Sequence, residues 1–170
     1  MLIFRFLWGF AGSSTARWAS FIRGPRAIAA FLRGKWTGIG HNPLGALSVV
    51  AIFAALAVQV SLGLLSQDED GLYAGPLSRL VDSDTSDRLR DIHELWFNVI
   101  VGLIVLHVAA ILFYRLRGQK LTKPMITGRA ALPPGTGPMR PGKWWVALLC
   151  LAVGVGITRW IIAGASPFSP

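Results

Sequence analysis

Three apolar runs, each about as long as a bilayer-spanning helix, constrain this chain more than any other feature. A hydrocarbon core of about 30 Å takes roughly 20 apolar residues at the helical rise. The first run, Leu44 to Leu65, has Ser48, Gln59 and Ser61 as its only polar side chains. The second, from about Leu95 to Tyr114, is interrupted by Asn98 and His107. The third, Trp144 to Ala163, carries one charge, Arg159, near its far end, where a long side chain can snorkel to the interface. Trp144 and Trp145 at one end and Trp160 at the other fit an aromatic belt. With 53% hydrophobic and 15% charged residues, against about 25% charged in an average soluble domain, the chain is neither a soluble domain nor disordered. A single cysteine, Cys150, excludes a disulfide scaffold.

The amino terminus is different. Met1 to Phe10 (MLIFRFLWGF) is apolar and aromatic, yet ten residues make only about 15 Å of helix. Arg5 lies inside the stretch and Arg17, Arg23 and Arg26 follow it, which does not fit a cleavable signal peptide. The segment reads as the last half of a spanning helix, so that the chain starts in mid-membrane. The expected fold is an all-α integral membrane protein, an up-down transmembrane helix bundle with three full spans plus the end of a fourth at the N-terminus. Arg17 to Lys35 mixes aromatics with arginines, with Pro25 as a breaker, and suits a short amphipathic helix on the inner surface.

Charge placement sets the expected orientation. All eight acidic residues lie between Asp68 and Glu94, offset only by Arg79, Arg88 and Arg90. Six basic residues and no acidic one precede Leu44, and seven basic and no acidic ones lie from Arg115 to Lys143. By the positive-inside rule, residues 11–43 and 115–143 are cytoplasmic, whereas residues 66–92 and the C-terminus are periplasmic. The net charge of +9 is thus explained by topology and contact with membrane lipid, and no nucleic-acid motif accompanies it. Leu132 to Gly142 is a Pro/Gly-rich loop.

The histidines are where chemistry is expected, because an intramembrane imidazole is costly. His93 and His107 lie 14 residues apart on one expected helix. At about 100° per residue, 14 steps return to within about 40° of the same face, with a rise of about 21 Å. One helix thereby offers two imidazoles to the same neighbour, one near the outer boundary and one toward the inner leaflet. Two haems stacked across a bilayer need that arrangement, since each iron takes an axial imidazole. Polar glue between helices meets the same spacing, as does a His93 lying in the headgroup zone. No flavin, iron–sulfur or zinc motif competes. Cys150 is expected to be a packed small hydrophobe. His41, in Gly40-His41-Asn42-Pro43, is expected at the start of a span or at the interface, near a haem propionate rather than on iron. Glu94 is either a proton-handling neighbour of His93 or, more plainly, a carboxylate at a helix start.

Several separate strings carry a resemblance. FRFLWGFAGSSTARWASFIRGPRAIAAFLRG, followed by GHNPLGALSVV, resembles the bacterial cytochrome b561 and nickel–iron hydrogenase b-type cytochrome family. Ala74-Gly75-Pro76-Leu77 and the His93…His107 helix resemble its last core helix and the approach to it. Tyr114-Arg115 through Lys123-Pro124-Met125-Ile126-Thr127-Gly128-Arg129 resembles the exit from that helix. The likeness covers about Phe4 to Arg129.

The resemblance implies a four-helix b-type cytochrome of the bacterial cytoplasmic membrane, with two b haems between its helices. His93 and His107 match the two histidines of the last core helix and become the expected haem-iron ligands. Arg115, Arg117 and His41 become expected propionate contacts. The family passes electrons between a redox partner and the quinone pool. A hydrogenase or dehydrogenase subunit, a c-type cytochrome, or quinol itself is therefore the expected partner. The family's opposing ligands come from its first two helices. This chain is expected to lack the first and most of the second, as a fragment or a misassigned start, or else as a shortened member that uses a partner's ligands. Residues 1–130 form the expected partial cytochrome domain, and 131–170 a loop plus an accessory helix, in which Ala152, Gly154 and Gly156 permit close packing. Two other readings are a haem-free remnant serving as membrane anchor or assembly subunit, and a ferric-reductase-like subunit. The latter needs nucleotide and flavin sites on another chain.

Overall fold

The protein is described by a computed structural model over residues 1–36, 42–70, 72–118 and 140–165. Helix α1 is Leu2–Ala11, α2 Trp18–Phe21, α3 Pro25–Leu32, α4 Pro43–Leu65, α5 Ser83–Leu116 and α6 Trp144–Ile162. A 3-10 turn occupies Ser78–Leu80. Three helices, α4, α5 and α6, are long and apolar enough to cross a membrane. No strand occurs among the described residues, so the expected all-α membrane bundle is what forms.

Two of the three long helices, α4 and α5, begin at a side-chain cap. Asn42 Oδ1 accepts the Gly45 amide at 2.6 Å, and Pro43 fills the first helical position of α4, where no amide is needed. Replacing Asn42 by Ala should cost about 1 kcal/mol of local stability, seen as faster hydrogen exchange in the first turn of α4 in detergent. Asp82 caps α5 by accepting both the amide and the hydroxyl of Thr85, at 2.9 and 2.8 Å. Those bonds hold its carboxyl below the usual aspartate range, the amide of Thr85 contributing most.

Two expectations need correction. The helix carrying the histidines begins at Ser83, well ahead of the apolar run at Leu95, its first turns being polar and capped by Asp82. Glu94 is therefore not in the first turn, and the helix-start account of it fails. The Arg17–Lys35 segment is not one surface helix. It forms α2 and α3, separated by extended backbone at Ile22 and Gly24, with Pro25 starting the second helix rather than breaking the first.

Helices α4 and α5 pack antiparallel. Ser86 Oγ donates to the Leu65 carbonyl at 3.2 Å, and Trp96 Nε1 donates to the Ala55 carbonyl at 2.9 Å. Ala46, Ala55 and Ile100 are buried, the small alanines letting the helices approach closely. The connection between these helices folds back on α4. The amides of Gly75 and Leu77 donate to the carbonyls of Ser66 and Leu64, each at 2.9 Å. Gly75 is required there because a Cβ would collide with the carbonyls of Gly63 and Leu64.

Helix α6 runs alongside α1. Gly154 faces the backbone of Phe4, where a Cβ would lie 3.5 Å from its nitrogen, whereas Gly156 has open space. Cys150 is buried, as expected of a packed hydrophobe. At one end of the bundle the Ser14 amide reaches the Arg140 carbonyl at 3.1 Å, and Phe31 meets Tyr114 with ring centroids 6.4 Å apart. At the other end Arg79 donates to the Gly164 carbonyl at 2.6 Å. The basic segments thus gather at one end and the acidic connection at the other. Arg5, the charge inside the apolar α1, stacks 4.5 Å over the Trp18 ring and donates to the Ala16 carbonyl at 3.3 Å.

Candidate functional site

His93 and His107 both face α4. Their common direction follows from the 14-residue spacing, which returns nearly to the same helix face. His107 Nδ1 lies 2.8 Å from Ser48 Oγ, near the basic end of the bundle. His93 lies toward the acidic end, with Nδ1 3.0 Å from the Gln59 backbone carbonyl and Nε2 3.1 Å from the Gln59 side-chain amide nitrogen. Ser48 and Gln59 are eleven residues apart, which is about three helical turns, so α4 aligns these two polar side chains as α5 aligns its imidazoles. The sequence showed these two polar groups inside an apolar run. It did not show that they meet the histidines.

The site around His93 is tight on one side and open on the other. A Cβ at Gly63 would lie 2.8 Å from His93 Cε1, so glycine makes room for the ring one turn along from Gln59. Beyond it opens a cleft of about 560 Å³ lined by Gly63, Ser66, Tyr73, Arg90, His93 and Glu94, among others. Arg90 is held there by Glu69 at 3.1 Å and Asp91 at 3.4 Å. These pairs are largely exposed, and surface pairs of this kind add little stability. Gln59 Oε1 is buried with no hydrogen-bond partner among the described residues, an expensive condition within a span.

The residues present fit an axially bound haem in one respect that can be tested from donors and acceptors. A carbonyl oxygen can only accept, so the Gln59 carbonyl requires the ring proton of His93 on Nδ1. The neutral ring then carries its lone pair on Nε2, the atom an iron would take. Among the described residues no three His, Cys, Asp or Glu side chains converge as a metal cage. Axial ligation needs only one imidazole on each face.

The expected propionate contacts stand apart. Arg115 and Arg117 are exposed at the basic end, Arg117 lying 4.8 Å over the Phe113 ring. Eight and ten residues from His107, they lie about 80° to either side of its face. His41 and the stretch from Lys123 to Arg129 lie outside the described residues.

No curated protein and no solved structure matches the chain. The sequence profile described as prokaryotic cytochrome b561 matches residues 1–128, about three-quarters of the length. Together with the three membrane-length helices, that match means the chain belongs to the prokaryotic cytochrome b561 family, b-type cytochromes of bacterial membranes that transfer electrons and normally bind haem b.

Proposed function

We propose that this chain is a b-type cytochrome subunit that passes electrons across the cytoplasmic membrane, with His93 and His107 as axial ligands of two haems. The observation that carries the reading is the alignment of both imidazoles on one face of α5, each with Nδ1 against α4. Bound haem supplies a reversible one-electron carrier at each level of the membrane. The chain's own residues do the rest. Helix α5 fixes the separation of the two imidazoles, and α4 fixes their orientation. The apolar flanks of both helices keep water and ions from the path. Arg115 and Arg117 supply positive charge for propionates at the basic end, and His41 a further propionate contact.

The remaining assignments follow from family membership and charge. The basic end lies in the cytoplasm and the acidic connection in the periplasm, as the positive-inside rule places them. Electrons pass between the quinone pool and a partner, either a hydrogenase or dehydrogenase subunit or a c-type cytochrome. Residues 1–130 form the cytochrome domain. Residues 131–170 add a loop and α6, which braces the bundle through α1. Each histidine would supply one ligand to its haem, and since both described histidines are on α5, any second ligand to the same iron would come from another residue or another chain.

One observation favours a second reading. Gln59 contacts both ring nitrogens of His93, as polar glue in a haem-free anchor subunit would also require. Haem content decides between them. The chain is purified from bacterial membranes with whatever remains bound to it, and haem is quantified as its pyridine adduct. About two b haems per chain are expected, one for each imidazole. Preparations without haem, in which the chain still carries its bound proteins, would establish the anchor instead.

A further inference from the structure

We propose that Ser48 is a positioning residue that fixes the tautomer of His107 and so presents the Nε2 lone pair for ligation. The inference rests on the haem reading above, although its first readout does not need haem. The Ser48 hydroxyl has one proton. The Gly45 carbonyl, 2.9 Å away, can only accept it, which leaves Oγ as the acceptor for His107 Nδ1 at 2.8 Å. Nδ1 then holds the ring proton, and among the described residues no hydrogen bond reaches Nε2.

The second histidine repeats the arrangement with different chemistry. At His93 the acceptor is a backbone carbonyl, that of Gln59, and the same ring atom is protonated. Two unrelated acceptors on α4, three turns apart, thus leave the same nitrogen of both rings as the donor of a lone pair. A hydrogen-bonded Nδ1–H also makes Nε2 a stronger ligand and holds the ring plane. At His93 the Gln59 amide nitrogen lies 3.1 Å from Nε2, so ligation there requires a rotation of the Gln59 side chain. Its Oε1 has no hydrogen bond among the described residues to resist that rotation.

The full chain labelled with ¹⁵N-histidine in lipid bilayers tests this, because ¹⁵N shifts separate protonated from unprotonated ring nitrogens. His-to-Gln variants at positions 41 and 93 assign the signals. His107 should show protonated Nδ1 in the native chain and in Ser48→Thr, which keeps the hydroxyl. Ser48→Ala should show a mixture of tautomers. In haem titrations Ser48→Ala should weaken binding at the His107 site by about 10–100-fold, with the His93 site unchanged and Ser48→Thr restoring it. An identical His107 tautomer in native and Ser48→Ala chains overturns the assignment, whatever haem does. If the tautomer shifts but Ser48→Ala and His107→Ala both leave haem binding intact, the assignment of His107 as a haem ligand has failed, and Ser48 is a packing contact.

Discussion

Replacing His107 by Ala is expected to abolish one b-haem signal and leave the other, with His93→Ala doing the converse. In the proposed reading each imidazole would hold a haem iron, and the α4 groups against the two rings, the Ser48 hydroxyl and the Gln59 amide, are poor substitutes for it. The reduced-minus-oxidised difference spectrum should fall by about half in each single variant and vanish in the double, as one lost ligand per haem requires. His41→Ala should retain both signals, because its expected place is beside a propionate. The two single variants should also differ from each other. His93 borders an open cleft with charged walls, whereas His107 lies among apolar residues of the spanning helices, and the surroundings of a haem set its potential. Unchanged spectra in either single variant would falsify ligation at that position.

The parts of this fold that were legible in the sequence are those decided by one property read along one helix. Spans appear as apolar runs because lipid demands them, and His93 and His107 share a face because helical geometry fixes the angle between them. What depends on a second element was not legible. The polar start of α5 carries no hydropathy signal, and only the Asp82–Thr85 cap marks where the helix begins. Arg5 looks like an uncompensated charge until Trp18 folds back over it. Ser48 and Gln59 stood out as polar groups in a span. Their eleven-residue spacing was a readable sign of a shared face, but the register of α4 against α5 decides which histidine each one meets. That register depends on contacts such as Trp96 with Ala55, which no periodicity encodes.

Gly63 offers the sharpest way to disturb one imidazole without removing it. In a helix interior, alanine is ordinarily the better residue by about 1 kcal/mol, so Gly63→Ala would be expected to stabilise α4. Here a Cβ would stand 2.8 Å from His93 Cε1, closer than carbon atoms tolerate, and the neighbouring ring must move. Overpacking of this kind costs about 1–3 kcal/mol. It acts on the ring's position relative to Gln59, not on the identity of the ligand. Set against the alanine gain, the net loss is about 0–2 kcal/mol, equivalent to binding weaker by up to about 30-fold where it falls on the haem-bound ring. That loss is expected at the His93 haem alone, with the His107 haem retained. Gly102→Ala is the matching control on α5, where a Cβ meets nothing within 4 Å. It should keep both haems and raise thermal stability. Should Gly63→Ala instead behave like Gly102→Ala, more stable and with its haem undisturbed, His93 would have to occupy a different position in the haem-bound protein from the one it holds against Gln59. The contact with α4 would then belong to the haem-free state.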